Sequence, residues 1–414
     1  MRKTIKLAVV AALALGATSA FATNGDVMIG QGAKSRAMGG VGIAKAFGAE
    51  SALVNPANIS STKDMEATVA VTVFMPKVSF NSDFATTPGS YADSASNLSV
   101  IPELYYSARL SDRLVTGIAI AGTAGMGVDY DSDGSATGSK SGTFRMKTNL
   151  SLLKVAVPVS YSVGGFTMGL AGVLQYGTLK LSHQAKDALG NPFFRDNGAS
   201  SDIGYGLEVG ATYSTGGLTL GAVYKSKIGM NYKNTISASI GDFGQSNNIT
   251  SGDNLDQPEE RGVGVSYNMG ANTISADYKN IAWADAAGYG DFGWNNQDVY
   301  ALGYEYTADA WALRLGYNYA KSPITEQAYT ADGSGSVKNF FNLAGFPGVV
   351  ETHYSLGGAY NISKDFSLDG ALIYAPETTN TYDVSAVGRK PAGTYSATVK
   401  HSQTGVTIAG TYKF

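Results

Sequence analysis

Residues 204–225 read GYGLEVGATYSTGGLTLGAVYK, two alternating runs joined by a glycine pair. In the first, Tyr205, Leu207, Val209, Ala211 and Tyr213 oppose Gly204, Gly206, Glu208, Gly210 and Thr212. In the second, Leu218, Leu220, Ala222 and Tyr224 oppose Thr219, Gly221, Val223 and Lys225. Period two over this length is the signature of β-strands with unlike faces. One face is apolar with aromatic ends and the other is small or polar. A soluble sandwich would bury its apolar face and would not need strands of this length ending in tyrosine. A transmembrane barrel needs both features, an apolar band facing lipid and aromatic residues at its rims.

The same pattern extends outward along the chain. Trp311, Leu313, Leu315, Tyr317 and Tyr319 alternate with Ala312, Arg314, Gly316 and Asn318, and Phe366, Leu368, Leu372 and Tyr374 with Ser367, Asp369 and Ala371. Candidate strands are 67–81, 97–111, 112–130, 143–163, 165–182, 201–215, 217–236, 258–268, 272–285, 296–307, 310–322, 350–362, 365–376 and 394–414. This all-β reading predicts an antiparallel barrel of about fourteen strands, an even number as bacterial single-chain barrels have. Tight turns (Ser111 and Asp112, Gly164, Gly216, Ala308 and Asp309, Ser363 and Lys364) alternate with long polar loops at 82–96, 131–142, 183–200, 237–257, 286–295, 323–349 and 377–393. All the long loops therefore fall on one side, the outside of the cell. The last strand alternates through Val406, Ile408, Gly410 and Tyr412 to Phe414. Such an aromatic end is similar to the signal read by barrel-assembly machinery, an expected partner.

Composition agrees. The 414 residues include 52 Gly and 25 Tyr, no Cys, 15% charged residues and a net charge of −3, and the mean hydropathy is −0.05. The charged share lies below the ordinary quarter of a soluble protein. No segment beyond residue 22 has the roughly 18 apolar residues of a spanning helix. Near-neutral charge gives no indication of nucleic acid. Residues 1–22 read as a cleaved signal peptide, with Arg2, Lys3 and Lys6 before the apolar run Leu7–Gly16 and then Ala20-Phe21-Ala22.

Between signal and barrel, residues 23–62 show no alternation. Gly30, Gly32, Gly39, Gly40 and Gly42 permit turns and close packing, and Pro56 after Asn55 stops any helix over 44–54. A compact insert before a barrel (63–414) is expected to sit inside it as a plug. With Thr23-Asn24-Gly25, GQGAKSRAMGGVGIA at residues 30–44 and Asn55-Pro56-Ala57, this segment resembles the amino-terminal hatch of the FadL family of outer-membrane channels. Ile101-Pro102, Leu255 to Glu259, Trp311 to Ser322-Pro323 and Phe346-Pro347 are similar to further landmarks, so the resemblance covers nearly the whole chain.

The resemblance implies a monomeric fourteen-stranded barrel in the outer membrane of a Gram-negative cell, embedded in lipid and lipopolysaccharide. It also implies passive uptake of long-chain fatty acids or hydrocarbons, with capture by the third and fourth extracellular loops (183–200 and 237–257), a hatch gate at Gly39, Gly40, Asn55, Pro56 and Ala57, and lateral exit at an inward kink of the third strand. No energy-coupling box is recognised. In the third strand, Gly122, Gly125 and Gly127 fit either a kink or simple clearance for the plug. Pro158 predicts a bulge in the fourth strand. Phe193, Phe194, Phe340, Phe341, Leu343 and Phe346 fit either ligand capture or packing of loops over the mouth. Val27, Met28 and Ile29 are candidates for the ligand pocket.

On the inward phase, Glu103, Arg109, Lys154, Glu208, Lys225, Asp277, Lys279, Glu305, Arg314, His353 and Asp369 point to paired networks that fix the plug through Lys34 and Arg36, or to a solvated lumen. Lys34, Arg36, Lys154 and Arg314 are candidate anchors for a carboxylate cargo. In the hatch, Gly48 stands where the family has an acidic residue, with Glu50 nearby. Asp129, Asp131, Asp133 and Gly134 begin like a calcium loop, but Lys140 replaces its bidentate glutamate. No catalytic set, metal site or cofactor is expected. The other readings are a hydrophilic porin and a surface adhesin or phage receptor.

Overall fold

The computed structural model describes residues 24–83, 91–130, 145–186, 192–245 and 248–414; the expected signal peptide and the Asp131–Lys140 stretch lie outside them. The strands are β1 (Met65–Ser82), β2 (Ala92–Asp93), β3 (Ser99–Arg109), β4 (Leu114–Asp129), β5 (Met146–Val163), β6 (Phe166–Lys186), β7 (Pro192–Thr215) and β8 (Leu218–Lys225). They continue as β9 (Glu260–Met269), β10 (Asn272–Ile281), β11 (Gln297–Thr307), β12 (Trp311–Ala320), β13 (Thr352–Asn361), β14 (Phe366–Asp383) and β15 (Ser396–Lys413). All pair in one sheet, which closes where β15 returns to β1, from Glu66 opposite Lys413 to Ser82 opposite Ala397. Setting aside the two-residue β2 on the edge of β1, fourteen antiparallel strands form the wall.

The alternation in the opening hairpin is realised as inside against outside. Tyr205, Leu207, Tyr213, Leu220 and Tyr224 are exposed on the outer surface, while Glu208 and Val223 are buried within. Gly216 and Gly217 take positive φ in the turn between β7 and β8, where side chains would be strained.

Residues 24–61 fill the lower lumen with helix α1 (Gly32–Ala37) and two 3-10 turns, Gly48–Leu53 and Pro56–Ser61. Glycines on the inner face of the wall allow this contact. A Cβ on Gly316 would stand 1.9 Å from the Gly39 nitrogen, one on Gly210 1.8 Å from Asn55 Oδ1, and one on Gly169 2.1 Å from the Ala57 nitrogen. These strands lack side chains where the plug backbone passes.

The wall is tall on one side and low on the other. β6 and β7 remain paired out to Lys186 and Pro192, so most of the expected 183–200 loop is strand. β8 stops at Lys225, well short of the expected 236. The next stretch turns inward, and Ile228, Met230 and Tyr232 are buried over Gly177, Gly204 and Gly206. Above the lumen lie helix α2 (Ile236–Asp242) and helix α3 (Ser334–Ala344).

The expected bulge at Pro158 is absent. β5 stays in register with β6 through Pro158 and Ala171, and the spacing against β4 is also unchanged. The Pro158 carbonyl faces β4 and accepts from the Thr116 hydroxyl at 3.1 Å, so the missing N–H removes one rung without shifting the strand. The register breaks fall instead at Gly122/Ala124, Lys180/Ser182 and Ala375/Thr378.

Candidate transport site

Charged side chains tie the plug to the wall in the lower lumen. Arg36 pairs with Glu103 with both side chains fully buried, and its guanidinium also donates to Thr72 Oγ1 at 2.9 Å. Lys34 meets Glu50 within the plug at 2.8 Å and Asp369 of the wall at 3.9 Å, and Lys45 meets Glu305 at 2.7 Å. Arg314 bridges Glu305 at 2.6 Å and Asp369 at 2.7 Å. Asp277 Oδ2 accepts from the backbone nitrogens of Gly42 at 2.7 Å and Ile43 at 2.9 Å. Asn55 caps the second 3-10 turn by accepting from the Ala57 nitrogen, and its amide donates to the Ile43 carbonyl. Gly39 donates to Ser355 and accepts from Asn318. The inward charges are thus mostly paired, as burial requires.

Higher in the lumen is a belt of polar groups. Lys154 lies 3.9 Å from Glu208, and Lys225 lies 3.7 Å from Glu260. Buried polar atoms of Gln175, Glu208, Tyr232 and Thr123 have no protein partner. The register places this belt below the mouth. Lys154 sits opposite Gln175, four residues nearer the periplasmic end than Leu150 opposite Leu179.

Leu179 belongs to an apolar cavity of about 30 Å³ beneath the inward-folded loops. Met126, Leu181, Ile240, Phe292, Trp294 and Phe341 supply most of its other walls, and among the described residues no charged side chain lines it. Of its polar lining groups, Asn342 is fixed by Trp294 and the Phe292 carbonyl, and Tyr289 by Asp26. Only the Ser239 hydroxyl is left without a partner. Tyr289 and Trp294 form an aromatic floor backed by Trp283, each pair of the three rings 4.6–5.2 Å between centroids.

Under this floor runs a strap, Asn24–Met28. Gly25, at φ +67°, passes so close to Trp283 that a Cβ would stand 2.5 Å from the indole. The strap meets β4 where the wall is interrupted. The β3–β4 ladder ends at Glu103 opposite Ala121, and β4 bulges against β5 between Gly122 and Ala124. There Met28 donates to the Thr123 carbonyl at 3.2 Å, Gly125 donates to the Asp26 carbonyl at 3.0 Å, and Val27 bridges Ala124. The strap takes hydrogen bonds that β3 has given up. Met126, on the same stretch of β4, faces the cavity.

A comparison with protein-family models matches residues 8–414 to the family described as Outer membrane protein transport protein (OMPP1/FadL/TodX). The chain belongs to this family. It is a FadL-family barrel of the Gram-negative outer membrane that transports hydrophobic compounds. Over 64 residues it is 47% identical to a Chlorobium limicola protein described as an uncharacterized protein in the 5' region of the phosphoenolpyruvate carboxykinase gene. That match covers 16% of this chain and 32% of the relative. Among solved structures, the toluene transporter TodX of Pseudomonas putida is 18% identical, with TM-score 0.68 over 93% of this chain and 99% of TodX. A FadL homologue of Pseudomonas aeruginosa is 15% identical with TM-score 0.67, over 94% and 100% of the two chains. The toluene transporter TbuX of Ralstonia pickettii is 18% identical with TM-score 0.63, over 93% and 99%. At these identities the likeness is one of fold.

In this FadL-family chain the candidate residues separate. Phe341 and Phe346 line the cavity, while Phe340 and Leu343 are buried in the packing around it. Phe193 and Phe194 lie on β7 rather than in a loop, stacked beneath Arg195 and Arg145, and neither borders the cavity. Val27 and Met28 form strap contacts, Met28 packing with Phe74 and Ile101, and Ile29 is buried beside them. Gly39, Gly40, Asn55, Pro56 and Ala57 belong to the plug below. Sequence reasoning missed Asp26, Gln257 and the aromatic floor. Two Trp, one Tyr and one Phe within residues 283–294 were the available signal.

Proposed function

We propose that this channel passively takes up uncharged hydrophobic small molecules, which collect in the loop-covered cavity and leave sideways between β3 and β4 once strap and hatch rearrange. The observation that carries this reading is an uncharged cavity beside the break in β4 and above a polar belt. Passing downward, a Phe-sized molecule would forfeit about 1.5–3 kcal/mol of apolar burial. It would also have to part the largely buried Lys154 and Glu208 side chains, and separating a buried ion pair costs about 3–5 kcal/mol. Moving sideways it exchanges one apolar environment for another, and the sideways route wins.

The cavity also selects by charge. A carboxylate cargo needs a cation in the lining, yet Lys34, Arg36 and Arg314 are committed to Glu50, Glu103 and the Glu305–Asp369 pair below, and Lys154 faces Glu208. TodX and TbuX, described as toluene transporters, share the fold, so toluene is the first cargo to test. The experiment is uptake of labelled toluene and labelled oleate in a strain lacking its own such channel. Wild type stands beside a variant with Gly122, Gly125 and Gly127 replaced by valine. At Gly122 an added Cβ would already stand 2.6 Å from Ile101 Cγ2. Saturable toluene uptake, lost in the valine variant, supports the reading. Sugar leakage with no toluene uptake contradicts it and favours a porin.

A further inference from the structure

One hydrogen-bonded unit joins the cavity to the strap. Tyr289 lines the cavity with its ring and donates its hydroxyl to Asp26 Oδ2. The same oxygen accepts from Gln257 Nε2 at 2.9 Å, and Asp26 Oδ1 has no partner. The Asp26 side chain is fully buried, while its backbone carbonyl holds Gly125 at the break in β4. One residue of the strap thus touches both ends of the proposed route.

The cavity is too small for a cargo as it stands. A space of about 30 Å³ holds a water or two, whereas a cavity that takes benzene is about 150 Å³. Some lining side chain must move, and packed walls do so by changing rotamer rather than by compressing. Most of the lining is aliphatic or phenylalanine, whose displacement breaks no side-chain hydrogen bond, and Trp294 and Asn342 bond each other and the Phe292 carbonyl rather than the strap. Tyr289 differs, because its displacement leaves Asp26 held by Gln257 alone in a site without water-like partners, a costly state for a buried carboxyl.

Resting on the transport reading above, we infer that Tyr289 is a positioning residue that couples filling of the cavity to release of the strap from β4. An apolar guest displaces the ring, the Tyr289–Asp26 bond breaks, and the strap loses its main side-chain anchor beside Thr123–Gly125. The break in β4 is then uncovered only when cargo is present. An empty channel stays closed.

The test uses the natural absence of cysteine. Asn24→Cys places one thiol on the buried end of the strap, and its rate of modification by a maleimide in detergent-purified protein reports release. Binding of toluene or octane is followed separately by tryptophan fluorescence, since of the three Trp one, Trp294, lines the cavity and a second, Trp283, stacks on it. With Tyr289 intact, toluene or octane should accelerate labelling at least severalfold. Tyr289→Phe keeps the ring but not the hydroxyl; it should label fast without any guest and gain little from one, while still changing fluorescence on binding. Asp26→Ala should do the same, and the double variant should label no faster than either single one. Heat-modifiable gel mobility confirms that each barrel is folded. Binding without accelerated labelling, or slow labelling in Tyr289→Phe, overturns the coupling alone. Failure of both guests to bind the parent overturns the transport reading and the coupling with it.

Discussion

Arg36 and Glu103 show what single residues contribute to this channel. Both side chains are wholly buried, and Glu103 also accepts from the Gly32 nitrogen and the Tyr105 hydroxyl. Removing one partner leaves the other charged in a site without solvent, which costs about 3–5 kcal/mol. Arg36→Met should therefore lower the unfolding temperature of the purified barrel far more than Lys147→Met, where the removed side chain is itself partly exposed and its pair with Asp129 is worth about 1 kcal/mol. Equal shifts in differential scanning fluorimetry would contradict the assignment. Asp26 gives a signed prediction. Burial pushes its carboxyl from the usual 3.8 to about 6, against the opposing hydrogen bonds of Tyr289 and Gln257 and the nearby Lys154, with Glu260 adding to the rise. The docked strap therefore holds a proton more tightly than a released one. Its docking is fully favoured below 3.8 and is lost as pH rises through about 6. Between pH 5 and pH 7 the docking equilibrium should fall about tenfold, seen as faster Asn24→Cys labelling after correction for the reagent's own pH dependence.

At the scale of elements, the inner-face glycines decide where the plug can lie. Gly316→Val on β12 would drive its side chain into the Gly39 backbone, which cannot give way as a side chain could. The expected result is a folded barrel with a dislodged plug, read as raised single-channel conductance in planar bilayers; unchanged conductance would show that the plug does not depend on this contact. The strands and the plug were legible because period two and its loss are local properties of the chain. The inward turn at Ser226 was not, since Ile228, Met230 and Tyr232 continue the alternation of β8 and periodicity does not say whether an apolar face meets lipid or core. The length of β7 was hidden for the opposite reason. Residues 195–200, RDNGAS, look like a loop but are held as strand by pairing with β6. In the same way, Phe193 and Phe194 read as loop aromatics although they sit on a strand extension. The hydrogen-bonded unit under the cavity was obscure because its parts, Asp26, Gln257 and Tyr289, are brought together only by the fold.

Taken whole, the molecule is a barrel of unequal height whose low side folds over its own mouth. Loops after β8, β10 and β12 supply Ile240, Leu255, Tyr289, Trp294 and Phe341 to one cavity, and the tall side supplies Met126, Leu179 and Leu181. Below that cavity come the polar belt and then the plug. A straight path through the lumen is therefore closed twice, once by charge and once by backbone. At the break in β4 beside the cavity, the strap takes the hydrogen bonds that β3 leaves open. The most direct measurement locks that strap to the wall. Val27 and Ala124 are bridge partners, and facing Cα atoms of an antiparallel pair lie about 4.5–5.5 Å apart, within the span of a disulfide. In a Val27→Cys, Ala124→Cys channel, oxidation should abolish uptake of labelled toluene and reduction should restore it, with each single variant unaffected by either treatment. Full uptake through a completely cross-linked channel would contradict lateral exit past the strap.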